Sequence, residues 1–276
     1  MAVVLGVVQG VAEFLPISSS GHLSLLQHFF GMEEPDALYN ILLHAATLAA
    51  VCAVYWRDVA DMILEFFRGI ADIASRKEGR GSPPEGRRLV LLVILGTLPL
   101  FAVLPFDDAV ESLGANPVFV SVMLLVTGCI LFLSDRYGGG RKNARTATVK
   151  DVLLVGAAQG FATIPGLSRS GTTISAGMAL GFNRSFAVRY SFLMSLPAVF
   201  GATLLKVVKV VKAGTLNTEL LPMYLTGLVV AGVVGYFSIR LVKLLADRGK
   251  FGSFAYYCWL AGAAALIACF LYTPAA

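Results

Sequence analysis

Charge is scarce in this sequence. Only 14% of its 276 residues are Asp, Glu, Lys or Arg, against about 25% in a soluble domain. With 57% hydrophobic residues and a mean hydropathy of +0.77, the chain lacks the solvated surface of a soluble fold. It reads as one integral membrane domain over 1–276. Metal-type cysteine spacing is absent: Cys52, Cys129, Cys258 and Cys269 all lie in apolar runs. They are expected to be small, buried packing residues. The opening MAVVLGVVQG has no basic segment and no small-residue cleavage site behind it, so no removed signal peptide is expected. The net charge is +5, but the basic residues flank apolar runs and form no single stripe. That excludes a nucleic-acid footprint and points to membrane topology.

A membrane span needs about 20 mostly apolar residues. Six segments qualify, at 37–57, 88–106, 117–134, 186–207, 221–245 and 253–273. Two more, 2–31 and 151–181, are apolar at both ends but interrupted by Pro, Gly and Ser. Such a segment makes a poor straight helix, because Pro removes a backbone donor and Gly loosens the turn. It suits a re-entrant helical hairpin, whose irregular backbone survives at depth only where protein or a cavity surrounds it. The basic loops 57–88 and 136–150 read as cytoplasmic, and the acidic loop of Asp107, Asp108 and Glu111 as external. Lys206, Lys209 and Lys212 fall on the external side, against that scheme. Residues 58–74 are expected to form an amphipathic helix on the inner surface, followed by a flexible loop, RKEGRGSPPEGRR. Trp56 and Trp259, near span ends, are expected to be interfacial anchors.

The chain also repeats itself. GVVQGVAEFLPISSSGHLSLLQHFFG from Gly6 aligns without gaps on GAAQGFATIPGLSRSGTTISAGMALG from Gly156. Gly6, Gln9, Gly10, Ala12, Ser18, Ser20, Gly21 and Gly31 each meet an identical residue. Three spans separate the copies, and an odd number turns the second copy over. The fold class expected is therefore all-α: a polytopic membrane protein of six transmembrane helices and two re-entrant hairpins in an inverted repeat. Repeat one covers about 1–135 and repeat two about 151–276. Such repeats place their site near the midplane, where the broken segments meet.

The two hairpin tips carry the chemistry. The first brings Gln9, Glu13, Ser18, Ser19, Ser20 and His22; the second brings Gln159, Ser168, Arg169, Ser170, Thr172 and Thr173. Gln9 and Glu13 are one helical turn apart and share a face. Each tip leads into the start of a second half-helix, whose free N–H groups suit an anion. Arg169 adds a planar fork matched to phosphate oxygens. His22 and Glu13 offer acid–base groups beside hydroxyls able to attack phosphorus. His28 and His44 sit on apolar helices and are expected to be satisfied packing residues.

QGVAEFLPISSSGH followed by PGLSRSGTT strongly resembles the bacterial undecaprenyl-diphosphate phosphatases of the bacitracin-resistance type. The first family motif, E/Q-x-x-x-E running into P-x-S-S-S/T-G-H, is met by Gln9, Glu13 and Pro16 to His22. The second, P-G-x-S-R-S-x-x-T, is met from Pro165 to Thr173. The likeness spans the whole chain. It implies a hydrolase that removes the terminal phosphate of undecaprenyl diphosphate, regenerating the lipid carrier for cell-wall synthesis and conferring bacitracin resistance. It implies a divalent cation, Mg²⁺ or Ca²⁺, and a site in the bacterial cytoplasmic membrane opening to the outer face. Gln9 carries no charge where many relatives have Glu, so Glu13 is the metal ligand expected.

On this reading Glu13, Ser19, His22 and Arg169 are catalytic. Gln9, Ser18, Ser20, Ser168, Ser170 and Thr173 bind the diphosphate. Ser19 attacks the phosphorus and His22 moves the proton; Ser18, Ser20 or a metal-activated water remain alternatives. A homodimer is one assembly open to such a chain. A second lipid-phosphatase class also uses an SGH turn, but needs His six residues after its Arg; here that position is Ser175. A transporter or lipid flippase is the rival function, because inverted repeats with broken helices are transporter architecture.

Overall fold

The computed structural model describes residues 2–30, 37–75, 83–213 and 221–271. Among these, twelve α-helices account for nearly all regular structure. They are α1 (Ala2–Ala12), α2 (Ser19–Phe30), α3 (Ala37–Val54), α4 (Trp56–Ala74), α5 (Glu85–Thr97), α6 (Asp107–Leu113), α7 (Pro117–Tyr137), α8 (Val149–Phe161), α9 (Arg169–Ala179), α10 (Arg184–Ala213), α11 (Leu221–Asp247) and α12 (Phe254–Leu271). Among the described residues five stretches are long and apolar enough to cross a bilayer: Glu85–Phe106, Pro117–Arg136, Arg184–Leu205, Pro222–Asp247 and Phe251–Leu271. The first continues α5 through 3₁₀ turns. The sixth expected span is α3, whose apolar part runs from Ile41 to Val54 and is shorter. The protein is thus an all-α, polytopic membrane protein.

Both interrupted segments are broken helix pairs. α1 stops before Pro16, and α8 before Pro165. Each gap needs one left-handed residue. In the second pair Gly166 takes it, at φ 93°. The aligned position in the first pair is Pro16, whose ring fixes φ near −65°. There the left-handed turn moves on to Ser18, at φ 67°, the sole non-glycine with positive φ among the described residues. Such a residue is held at a cost of about 1–3 kcal/mol. After the break the pairs match again. Ser18 Oγ accepts from Gly21 N at 3.2 Å, and Ser168 Oγ from Gly171 N at 3.1 Å. Both serines thereby cap the half-helix that follows.

The packing has the same pairwise character. α1 packs on α11 as α8 packs on α5, and α3 on α11 as α10 on α5. α3 meets α10, and α7 meets α12. The tips touch reciprocally. A Cβ on Gly21 would meet Gly166 Cα at 3.0 Å, and a Cβ on Gly171 would meet Pro16 Cβ at 3.0 Å. Each tip is also tied to a long helix at the same aligned position. The Thr127 hydroxyl on α7 donates to Gly166 O at 3.1 Å, and the Cys258 thiol on α12 donates to Pro16 O at 3.5 Å.

The two ends of the bundle differ. Ion pairs cluster where α4, the starts of α5, α8 and α10, and the ends of α7 and α11 converge. Arg189 binds Asp58 and Glu85, Lys142 binds Asp151 at 2.9 Å, Arg184 binds Asp135, and Arg87 binds Glu65 and Asp72. The α8–α9 pair starts and finishes at this basic end, where Gly139 N donates to Met178 O. The α1–α2 pair belongs to the opposite end: the Tyr39 hydroxyl at the start of α3 donates to Ala2 O at 2.8 Å. The pairs therefore enter the bundle from opposite ends.

α4 is the expected amphipathic helix, with Ile63, Phe66, Phe67, Ile70 and Ile73 exposed and Glu65 buried. Residues 76–82 of the loop after it, including Arg76, Lys77 and Arg80, lie outside the described residues, as do Gly31 and 272–273 at the limits of two expected segments. One expectation needs correction. Cys129 is exposed, Cys52 and Cys269 are half-buried, and only Cys258 is buried; a thiol on an outward helix face is covered by lipid rather than protein. A Cβ on Gly128 would lie 2.4 Å from the Trp259 ring, so that indole packs onto α7, beside Phe132. Trp56 is 61% exposed.

Candidate active site

Glu13 follows α1 directly, and Arg169 is the first residue of α9. The reciprocal contact of the tips brings them together: Arg169 Nη2 donates to Glu13 Oε1 in a salt bridge. The Glu13 side chain is only 7% exposed. Its other oxygen accepts from Gln9 Nε2 and from Ser19 Oγ, each at 3.2 Å. Gln9 reaches it because the two sit one turn apart. Ser19 reaches it because the left-handed Ser18 turns the chain back. One carboxylate thus gathers an amide, a hydroxyl and a guanidinium from both halves. A buried ion pair needs such extra hydrogen bonds to offset the loss of water.

Beside this pair lies a cavity of about 290 Å³. Glu13, Ser18, Ser19 and Ser20 come from the first tip, and Gln159, Ser168 and Arg169 from the second segment. Ile41 and His44 of α3, Leu100, and Ala198, Val199, Ala202 and Thr203 of α10 also line it. A small recess that shares Glu13, Arg169 and Val199 with the cavity is lined also by Ser170 and Thr173, with Ser191 and Ser195 from α10. Thr173 Oγ1 donates to Arg169 O at 2.8 Å and meets Ser191 Oγ at 2.6 Å. Ser18 Oγ lies 3.4 Å from Ser20 Oγ, and Ser168 Oγ 3.3 Å from Ser170 Oγ. Gln9, Glu13, Ser18, Ser19, Ser20, Ser168, Arg169, Ser170 and Thr173 are therefore neighbours around one ion pair.

His22 is placed differently. It is not among the residues lining either cavity. Its Nδ1 lies 2.8 Å from Ser18 O, and its Nε2 2.8 Å from the Tyr257 hydroxyl on α12. A carbonyl only accepts, so Nδ1 carries a proton toward Ser18, while Nε2 faces the Tyr257 hydroxyl, which can donate or accept. The group touching the Ser19 hydroxyl is Glu13, not His22. His44, read from sequence as a packing residue, sits on the cavity wall. It shares one face of α3 with Ile41 and Leu48, which also line the site; that spacing was a signal available in the sequence. Ser191 and Ser195, one turn apart on α10, carried a similar signal; Tyr257, on an apolar helix, had none.

Fold and site together define a class: a polytopic membrane protein with an acid, a guanidinium and hydroxyls enclosed where two broken helix pairs meet. The family model described as "Bacitracin resistance protein BacA" matches residues 2–264, and the chain belongs to that family. The undecaprenyl-diphosphatase of Syntrophotalea carbinolica is 41% identical over 266 residues, covering 95% of each chain. Those of Desulfatibacillum aliphaticivorans and Methanosphaera stadtmanae are 39% and 38% identical, covering 98% and 96% of each chain.

Proposed function

We propose that the protein is an undecaprenyl-diphosphate phosphatase. It returns the lipid carrier as undecaprenyl phosphate for cell-wall synthesis, and so confers bacitracin resistance. The observation that carries this reading is the shared carboxylate: Glu13 holds the Ser19 hydroxyl on one oxygen and Arg169 on the other, at the edge of the cavity. An anion transporter needs the guanidinium and the amides, but not a hydroxyl set on a base.

The polyprenyl tail stays in the bilayer, where each methylene contributes about 0.8 kcal/mol. Only the diphosphate enters. Arg169 exchanges Glu13 for phosphate oxygens, which its planar fork fits. The N–H groups at the start of α9 and the Ser168 and Ser170 hydroxyls orient the group. Ser19 Oγ then attacks the terminal phosphorus while its proton passes to Glu13. The bond from that phosphorus to the bridging oxygen breaks, and undecaprenyl phosphate leaves. Water attacks the phosphoserine, releases inorganic phosphate and restores the hydroxyl. Positioning and charge neutralisation supply most of the acceleration in such a reaction. His22, held by Tyr257, is a second proton-carrying group beside the tip.

A hard divalent cation, Mg²⁺ or Ca²⁺, fits the donor chemistry, which is all oxygen. Among the described residues no group of three or more His, Cys, Asp or Glu could hold one. The ion would therefore rest on Glu13 and on the substrate's own phosphates, as Mg²⁺ commonly does. Bound there, it would neutralise phosphate charge.

The two halves, about 1–135 and 151–276, form an inverted repeat on this reading, supported by the reciprocal tip contacts. The protein resides in the bacterial cytoplasmic membrane with the basic end inside. The cavity opens to the outer face, because its walls of α3, α10 and the turn after α5 are the halves farther from the ion-pair cluster. Phosphate release from undecaprenyl diphosphate by the purified protein in detergent tests the proposal. Transport is silent without two compartments, so release supports a phosphatase and its absence rejects one.

A further inference from the structure

Among the described residues lining the cavity, Gln159 alone carries a buried side-chain polar group without a partner. Neither Nε2 nor Oε1 of its amide makes a hydrogen bond, and the residue is 1% exposed. The cause is a single difference between the repeats. Gln9 has an acid one turn on, and donates to it. Gln159 has Thr163 at the matching place, whose hydroxyl donates to Gly160 O at 2.8 Å and makes no hydrogen bond with the amide. The aligned glutamine is therefore freed from a structural duty and left on the wall of the site.

A buried amide without a partner is destabilising, and native folds seldom keep one without a ligand to satisfy it. The surroundings say which ligand. Arg169 and the hydroxyls of Ser18, Ser19, Ser20 and Ser168 line the same space. A cation and a ring of donors suit an oxyanion, and an amide adds two more N–H groups. We infer that Gln159 is a substrate-binding residue whose Nε2 donates to an oxygen of the diphosphate. It binds from the second repeat's wall, opposite in origin to the carboxylate of Glu13. The identity of the anion rests on the phosphatase reading; the free amide does not.

The test uses the full chain, purified in detergent, with Gln159→Leu and Gln159→Glu. Without ligand, Gln159→Leu should unfold about 2–4 °C above wild type, because the partnerless amide is gone. Its KM for a prenyl diphosphate should rise about tenfold, with kcat within about threefold, as for lost ground-state binding. The thermal shift that inorganic pyrophosphate gives the wild type should shrink. Gln159→Glu keeps the shape but turns an acceptor toward an anion, and should raise KM further. A Gln159→Leu protein with wild-type KM and wild-type pyrophosphate shift overturns the inference, since water then suffices as partner. A lowered unfolding temperature overturns it as well, because the amide then serves the fold. If the wild type releases no phosphate, the phosphatase reading fails alone. The pyrophosphate shift still decides Gln159: loss in the leucine variant sustains the inference, and retention, or no shift in the wild type, ends it.

Discussion

Alanine at Gly21 separates the geometry of the site from the stability of the fold. A Cβ there lies 3.0 Å from Gly166 Cα and 3.0 Å from Ser18 Oγ. Carbon atoms rest about 3.5–4.0 Å apart, so the tips must part by roughly 0.5–1 Å. The bundle can absorb such a shift. Overpacking costs about 1–3 kcal/mol, and replacing Gly by Ala within α2 returns about 1 kcal/mol. The net loss of stability should stay below about 2 kcal/mol. Catalysis should suffer more, because Ser19 and Glu13 belong to one tip and Arg169 to the other. A displacement of about 1 Å at reacting groups lowers the rate on the order of a hundredfold, or about 2.7 kcal/mol in the barrier. Gly171→Ala drives its Cβ against Pro16 Cβ, 3.0 Å away, and should act alike. Phosphate release from a prenyl diphosphate, measured beside thermal unfolding of the same preparations, reads both quantities. Wild-type kcat/KM in either variant would refute the idea that tip contact sets the reactive geometry.

Three further perturbations follow from the site. Glu13→Ala and Arg169→Ala should each lower kcat/KM by at least about a hundredfold, while Arg169→Lys, which keeps the charge but not the fork, should restore less than a tenth of it; steady-state kinetics and a folded elution profile check both. Tyr257→Phe frees His22 Nε2 but leaves Nδ1 on the Ser18 carbonyl, so activity should fall less than about tenfold and less than in His22→Ala; equal losses in the two variants would show that the tyrosine acts directly. Chelation with EDTA should stop phosphate release, and Mg²⁺ or Ca²⁺ should restore it. Without substrate the same ions should leave the unfolding temperature unchanged, because one carboxylate already bonded to Arg169 is a weak site; a clear shift would reveal further ligands.

The helices and the polar cluster were legible in sequence because they depend on local pattern. Apolar runs marked the five long membrane-crossing stretches within about three residues at each end, and Pro16 and Pro165 marked the breaks. The pairing of Glu13 with Arg169 was legible only through the repeat, which says that matching segments meet. What stayed hidden depends on which face a long apolar helix turns inward. Nothing near Tyr257 shows that it meets His22, and nothing near Gly128 shows that it receives the Trp259 ring. The Ser19–Glu13 contact was hidden as well. His22 and Ser19 are three residues apart on α2, and only the left-handed turn at Ser18 explains why Ser19 folds back on Glu13.

The ion pair at the centre of the site joins residues 156 positions apart. The ribosome therefore delivers the acid long before its guanidinium exists. Until Arg169 follows, only Gln9 and Ser19 among the acid's hydrogen-bond partners are present in the chain, and an acid placed in a bilayer without a cation is costly. A chain that stalls before Arg169 lacks the cation that the finished site sets against its buried acid.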